Sequence, residues 1–153
     1  MSPTIDRRTA VKLIESRDFS KRDLRSLDAT KRDLSGLNAT ESLLRNANFS
    51  DTNLTGANFT QANLSNAHFR NANLRGVTFA GTDLEGADLA GADLSGTQFE
   101  NCSLIGASFC DFDNEGNPTH VPTIDADTRF PVELLAPLTA EQRKVMEQLL
   151  AGA

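Results

Sequence analysis

Carboxylates recur at a spacing of five residues in the second half of the chain, at Asp83, Asp88 and Asp93, and Glu85 lies among them. Carboxylates held close together can act as acid and base or can bind a hard metal ion. These groups would lie on successive sides of a chain that turns once every five residues, so they would encircle the molecule instead of meeting. We interpret them as a solvated acidic belt, and a docking patch for a protein, formed by the same four residues, is the alternative.

The histidines and cysteines are too few and too dispersed to suggest a metal site. Neither His68 nor His120 has a cysteine or a second histidine at the spacing of a zinc site. Cys102 is expected to pack inside, and Cys110 is expected to be inert, with a reactive thiol as the alternative. The sequence also lacks a phosphate-binding loop and a nucleophile elbow. We therefore predict no enzyme activity, no cofactor and no metal.

The segment that carries most of these side chains is a repeat of five residues. Of the 19 residues at this spacing from Phe19 to Phe109, 17 are Leu or Phe, and the other two are Ala29 and Ala39. The residue two positions earlier is small or β-branched from 42 to 107, and Asn or Asp commonly stands between the two. We call the following residues the centres: Phe19, Leu24, Ala29, Leu34, Ala39, Leu44, Phe49, Leu54, Phe59, Leu64, Phe69, Leu74, Phe79, Leu84, Leu89, Leu94, Phe99, Leu104 and Phe109.

A period of five fits neither a helix nor a continuous strand. Five residues advance a helix by ~500°, so an apolar stripe would wander around it, and an odd period turns alternate centres to opposite faces of a strand. The chain must therefore turn once per repeat, which Gly and Asn allow. Leu and Phe sort at intervals of 10 or 20 residues, and a lumen wide enough for them requires four pentapeptides per coil. Nineteen centres then give almost five coils.

These residues resemble the pentapeptide-repeat family, whose motif is A-(D/N)-(L/F)-x-x. Residues 57–61 (Ala-Asn-Phe-Thr-Gln), 62–66 (Ala-Asn-Leu-Ser-Asn) and 92–96 (Ala-Asp-Leu-Ser-Gly) match it at each position. The resemblance implies an all-β fold, a right-handed quadrilateral β-helix. It also implies that the chain is similar to a subset of dimeric, acidic duplex-DNA mimics that bind DNA gyrase.

The ends of the repeat predict a division into three parts: an N-terminal capping helix in 1–17, the β-helix in 18–112, and an irregular arm with a C-terminal helix in 113–153. Residues 6–16 have one apolar face and are expected to plug the first coil. That coil is expected to be splayed, because Arg17, Arg22 and Arg32 stand at its inward positions. Leu43 replaces the usual Asn or Asp and is expected to pack beneath the N-terminal segment.

The C-terminal helix is predicted over 139–151. Thr139 and Gln142 have the spacing of a capping box. The apolar stripe of this helix either caps the last coil or forms a dimer contact, as in the DNA-mimic members, and both interpretations stay open. The stripe consists of Val145, Met146, Leu149 and Leu150.

The net charge is −6, with ten Lys/Arg against seven Asp/Glu in 1–45 and five against fourteen in 46–153. An acidic body disfavours direct binding to nucleic acid or to an anionic membrane. There is no apolar run of signal-peptide length, and the two cysteines stand at unrelated positions, so we expect a cytoplasmic protein. The sequence thus predicts a non-catalytic interaction or scaffold module with an unidentified protein partner, and a DNA mimic directed at gyrase is the alternative.

Overall fold

The computed structural model describes the backbone of residues 7–131 and 138–153. Its regular elements are α1 (Arg7–Ser16), β1 (Asp111–Phe112), β2 (Pro118–Thr119) and α2 (Ala140–Gly152). Between α1 and β1 the chain forms isolated parallel bridges, one per pentapeptide. The repeat therefore folds as short extended segments separated by turns.

The bridges join each residue to the one 20 positions later, in an unbroken series from Asp18↔Asn38 to Asp88↔Ser108. Two backbone hydrogen bonds accompany each bridge: the Phe59 amide donates to the Thr78 carbonyl at 2.9 Å, and the Asn58 amide donates to the Leu37 carbonyl at 2.8 Å. The chain thus returns to the same place every four pentapeptides. We number the four sides by their centres: side 1 holds Phe19, Ala39, Phe59, Phe79 and Phe99; side 2 holds Leu24, Leu44, Leu64, Leu84 and Leu104; side 3 holds Ala29, Phe49, Phe69, Leu89 and Phe109; and side 4 holds Leu34, Leu54, Leu74 and Leu94.

The turn between sides depends on two positions of the repeat. The residue two after each centre from Phe19 to Leu104 has a φ between +53° and +73°, a region that Gly and Asn enter at the lowest cost. The Asn or Asp before the centre accepts a hydrogen bond from the amide two residues later, as Asn58 does from Thr60 at 2.9 Å. The same bond forms at Asp18, Asp23, Asp28, Asp33, Asn38, Asn48, Asn53, Asn63, Asn73, Asp83, Asp88 and Asp93.

The lumen is filled by the centres, each of which is 4% exposed or less. Phe rings of one side stack along the axis, as for Phe59 and Phe79 (centroids 5.5 Å apart, planes at 14°). Rings from sides 1 and 3 meet edge to face, as for Phe59 and Phe69 at 6.1 Å. Both geometries are favourable for aromatic pairs. At the centre Ala39, the fully buried Leu37 supplies the missing volume.

Buried threonines tie neighbouring coils together. The Thr82 hydroxyl, at an inward position, donates to the Phe59 carbonyl at 2.7 Å, and Thr52 and Thr97 bond Ala29 and Leu74 in the same way. Among the described residues, no buried side-chain nitrogen or oxygen lacks a hydrogen-bond partner. A hydroxyl can therefore stand at this inward position without the cost of an unsatisfied polar group.

The first coil is regular, so the prediction that it is splayed was wrong. It is bridged to the second coil on all four sides. Arg22 and Arg32 are exposed and Arg17 is half-buried, because an end coil lets these long side chains leave the lumen for solvent. Leu13 of α1 is buried in the core at this end, whereas Leu43 is 46% exposed, contrary to the expectation that it packs beneath the N-terminal segment.

The arm after Phe109 is less irregular than the sequence suggested. β1 and β2 pair as a short antiparallel hairpin, and the chain then rejoins the coils. Thr123 bridges Asp93 on side 4, and Arg129 bridges Gln98 on side 1. Ile124 and Phe130 consequently take the places of two further centres and pack against the core. The hairpin is an insertion between two sides of one coil.

Helix α2 packs against the core from the C-terminal end of the chain. Thr139 caps it by accepting a hydrogen bond from the Gln142 amide at 3.2 Å, as predicted. The reciprocal half of the capping box does not form, because the Gln142 side chain donates to Ser108 Oγ at 3.0 Å. Met146 is fully buried and Val145 is 7% exposed, while Leu150 is 41% exposed. Within the described residues, no helix is long and apolar enough to cross a bilayer.

Candidate interaction surface

The four acidic residues singled out from the sequence do not converge. Asp83, Asp88 and Asp93 bridge Asn63, His68 and Asn73 respectively, which places them on sides 2, 3 and 4. Glu85 is exposed on side 2, two residues after Asp83. Among the described residues, no three His, Cys, Asp or Glu side chains are grouped as a metal site would require. The structure thus separates these residues around the coil instead of joining them in one cluster.

Two of these carboxylates lie beside arginines. Asp88 pairs with Arg70 at 2.8 Å and Asp93 with Arg75 at 3.3 Å. Burial acts to raise the pKa of Asp93, but hydrogen bonds from Ser95 and Arg75 outweigh it and the pKa is lowered. Such pairs contribute little to stability where they are exposed. Each pair does, however, offset one negative charge of the acidic belt that the sequence predicted.

An ion cluster anchors the inserted hairpin on side 3. Arg70 contacts both Asp88 and Asp111, and Asp111 also lies 3.1 Å from His120 Nδ1. The guanidinium of Arg70 lowers the pKa of Asp111. The Gly91 amide donates to the His120 carbonyl at 2.5 Å, which fixes the end of the hairpin. His120 therefore has a structural place, whereas His68 is exposed at a turn position.

The cysteines have the properties of packing residues. Burial raises the pKa of the Cys102 thiol to about 12. Burial, and then the charge of Asp111, also raise the pKa of Cys110, which is 2% exposed. The thiolate is the reactive form of cysteine, so neither environment activates the sulfur.

Side 2 differs from the other sides in exposing large aliphatic groups. Leu43 is 46% exposed and Ile105 is 60% exposed. Arg45 and Glu85 are exposed on the same side, and within residues 7–131 and 138–153 neither forms an ion pair. Glu85 was expected in an acidic belt and Leu43 beneath the N-terminal segment, and neither expectation pointed to side 2 as a distinct surface.

These features define a repeat protein built from stacked pentapeptide coils. The sequence model described as "Pentapeptide repeats (8 copies)" matches residues 33–71, 52–91 and 83–109, which together make up half of the chain. The chain belongs to the pentapeptide repeat family. Proteins of this family form right-handed β-helices and are generally structural or interaction modules.

Solved structures agree with this assignment. HetL, a pentapeptide repeat protein involved in heterocyst differentiation regulation in the cyanobacterium Nostoc sp. strain PCC 7120, is 24% identical with a TM-score of 0.63, over 69% of this chain and 46% of HetL. The chain thus matches less than half the length of HetL. This likeness supports the fold alone.

Two other solved structures match the chain with lower TM-scores. A pentapeptide repeat protein from the thylakoid lumen of Arabidopsis thaliana is 28% identical, with a TM-score of 0.47 over 88% of this chain and 92% of that one. A trypsin-treated form of QnrB1, a plasmid-mediated fluoroquinolone resistance protein, is 24% identical, with a TM-score of 0.38 over 71% of this chain and 65% of that one. No curated protein matches the sequence.

Proposed function

We propose that the chain is a non-catalytic protein-interaction or scaffold module that binds a partner through the outer sides of its coils. The proposal includes a right-handed quadrilateral winding, a cytoplasmic location, and the division into 1–17, 18–112 and 113–153, with the third part supplying the last side of the fifth coil and one side of a sixth. It also keeps the belt of Asp83, Glu85, Asp88 and Asp93 as a candidate docking surface for a basic partner.

The proposal rests on the separate structural roles of the five positions within each pentapeptide. The centres and the residues two before them fill the lumen, and the Asn or Asp between them stabilises the turn. What varies between repeats is the outward side chains, so that each side presents a different rigid surface. A rigid scaffold of this kind reduces the ordering cost that a binding surface would otherwise incur.

The test compares capture of proteins from the native host by four variants. Thr60→Arg, Ser65→Arg, Ser50→Arg and Thr55→Arg each place one cation after the centre, on sides 1, 2, 3 and 4 in that order. We expect a partner that the unmodified chain retains and that one variant loses, while all four melt within a few degrees of the parent. Equal capture by all four variants and by the unfolded chain would contradict the proposal, as would a reaction that one polar substitution abolishes.

The alternative function is a DNA mimic directed at gyrase. The observation that favours it is the charge of −6 on a narrow body. Against it, the side 4 column of Asp33, Asn53, Asn73 and Asp93 is half neutral, and Arg75 pairs with its last member. A supercoiling assay separates the two functions. Inhibition or protection of gyrase at micromolar protein would favour the mimic, and no effect at that concentration would remove it.

A further inference from the structure

Two opposite charges on side 2 stand in one column, and neither forms an ion pair with any residue that the structure describes. Arg45 and Glu85 both follow a centre and lie two coils apart, with Ser65 between them. Two coil spacings amount to about 10 Å between the backbones, and the two side chains form no ion pair with each other across that distance. On sides 3 and 4, by contrast, arginines of the same column reach a carboxylate one coil away: Arg70 reaches Asp88 and Arg75 reaches Asp93.

The exposed Leu43 beside Arg45 is a second peculiarity of this side. Leu43 occupies the position where thirteen other repeats use an Asn or Asp oxygen to accept the turn amide. The leucine gives up that hydrogen bond and exposes 46% of its surface. Neither change stabilises the isolated chain. The residue is therefore better explained by something that covers it.

A second copy of the chain fits this side. Two copies can face each other through side 2 about a two-fold axis that passes through Ser65 at right angles to the coil axis. This axis sets the second coil of one copy, which holds Arg45, opposite the fourth coil of the other, which holds Glu85. Arg45 of each copy then faces Glu85 of the other, and the small Ser65, which is 8% exposed, faces its own copy. The contact is isologous and closed, as most homo-oligomer interfaces are.

The parallel arrangement of the two copies is less favourable. If the two-fold axis instead ran parallel to the coil axis, the side 2 residues immediately before the centres of one copy would face those immediately after the centres of the other. The facing residues would belong to the same coil of each copy. Asp83 of one copy would then face Glu85 of the other, and like charges in contact are repulsive. Charge complementarity thus selects the antiparallel pair.

We propose that side 2 is a homodimer contact, in which two antiparallel copies exchange Arg45–Glu85 ion pairs across Ser65, with Leu43 opposite Asp83 and Ile105 opposite Arg25 of the other copy. This contact is distinct from the stripe of α2, whose Val145 and Met146 are already buried within one chain. It goes beyond the proposed function, because it holds whatever protein the remaining sides bind.

The contact is small, which sets the expected affinity. A side about 10 Å wide and five coils tall offers on the order of a few hundred Å², below the ~800 Å² per partner of stable complexes. The dimer is therefore weak and dependent on concentration. Its ion pairs are exposed at the rim, so it also weakens as salt is added.

The test is sedimentation equilibrium of the full chain over a concentration series up to about 1 mM, at low and at high salt. We expect a monomer–dimer equilibrium for the unmodified chain. R45E and E85R each place like charges in contact and should raise the dissociation constant at least tenfold. The double variant R45E/E85R restores opposite charges and should return it to within a few-fold of the parent.

A matched pair of variants locates the two-fold axis. Ser65→Arg sets two cations against each other on the axis and should abolish the dimer. Thr60→Arg makes the same change at the equivalent position of side 1 and should not, since both hydroxyls donate to the preceding Asn in the same way.

The outcomes are decisive in either direction. A chain that is monomeric at all concentrations overturns the proposal. A dimer unaffected by R45E and E85R, or one not rescued in the double variant, overturns it too, since the contact then lies elsewhere. The dimer would cover Asp83 and Glu85 of the acidic belt, so the proposed function is tested separately by the variants of sides 1, 3 and 4, on whose capture of a host partner neither outcome bears.

Discussion

Phe130 stacks on Phe99 with ring centroids 5.1 Å apart and ring planes at 6°, although 31 positions separate them instead of the 20 that separate Phe79 from Phe99. The inserted hairpin accounts for most of the difference. The chain leaves the coil after Phe109, forms β1 and β2, and returns to side 4 at Thr123. Phe130 thereby extends the aromatic column of side 1 by one rung.

Removal of that rung should destabilise the C-terminal end of the lumen. We expect Phe130→Ala to lower the free energy of unfolding by about 2–4 kcal/mol, through the cavity it leaves beside Phe99 and Phe109. Urea denaturation followed by circular dichroism measures this. Val121→Ala, at an exposed position of the same arm, is the control and should cost less than about 1 kcal/mol. Equal effects of the two changes would show that the arm does not dock.

The corner glycines should differ in their tolerance of a methyl group. Gly86 and Gly56 have almost equal φ, +67° and +68°, so alanine is strained at both, by about 1–2 kcal/mol. At Gly86 the added Cβ would also lie 2.4 Å from Asn66 Oδ1, whereas at Gly56 nothing lies within 4 Å. Gly86→Ala should therefore be the more destabilising in urea denaturation, by less than about 1 kcal/mol, because the Asn66 side chain can turn away from the methyl group. Combination with Asn66→Gly should remove the excess, and an excess that persists would refute the contact.

The buried hydroxyls should contribute measurably to stability. Thr82→Val keeps the shape but leaves the Phe59 carbonyl without its side-chain donor, which should cost about 1–2 kcal/mol. Thr60→Val on the outer surface is the matched control, since its hydroxyl donates to Asn58 beside solvent, and should cost less than about 0.5 kcal/mol. Differential scanning calorimetry at neutral pH compares the two. A cost for Thr60→Val as large as that for Thr82→Val would contradict the account of these hydroxyls.

Stability in acid should depend on the ion cluster of the hairpin. Arg70 lowers the pKa of Asp111, so this carboxylate stabilises the folded chain above its unfolded pKa of about 4, and the contribution is lost as the pH falls through the lower, folded pKa. Asp111→Asn should be the less stable protein at pH 7, and the two stabilities should converge as the pH falls below the lowered, folded pKa of Asp111. Thermal melts between pH 2 and 7 test this. A constant difference at every pH would show that the charge of Asp111 is not involved.

The sequence predicted the coils well because their rule is local. Each centre, each small residue two before it and each Gly or Asn two after it specifies its own turn, as Ala62, Leu64 and Asn66 do. The role of Asp83, Asp88 and Asp93 was harder to recognise, because an acid that bonds the amide two residues later has the same spacing as an acid kept for a partner. Recurrence at a turn position is thus weak support for a docking site.

The return of the arm was hidden because the insertion breaks the period. The distance from Phe109 to Ile124 is 15 residues and that from Ile124 to Phe130 is six, so no count in fives reaches them. One signal was present: Thr128-Arg129-Phe130 repeats the pattern of Thr97-Gln98-Phe99. The Thr128 hydroxyl bonds the Leu94 carbonyl at 2.9 Å, as Thr97 bonds Leu74. The Arg70 cluster could not be foreseen, since it joins residues 41 positions apart through that same insertion.

A side-by-side alanine scan of adjacent residues tests most directly whether the Leu and Phe centres face the lumen and leave the outer sides for binding. Leu64→Ala, Phe69→Ala and Leu74→Ala should each lower the free energy of unfolding by about 2–5 kcal/mol, because each leaves a cavity in a closed column. Asn63→Ala, His68→Ala and Asn73→Ala, one residue earlier, should each cost about 1 kcal/mol or less. Similar costs at the two sets of positions, or an unchanged melt for Phe69→Ala, would contradict both the architecture and the binding surface inferred from it.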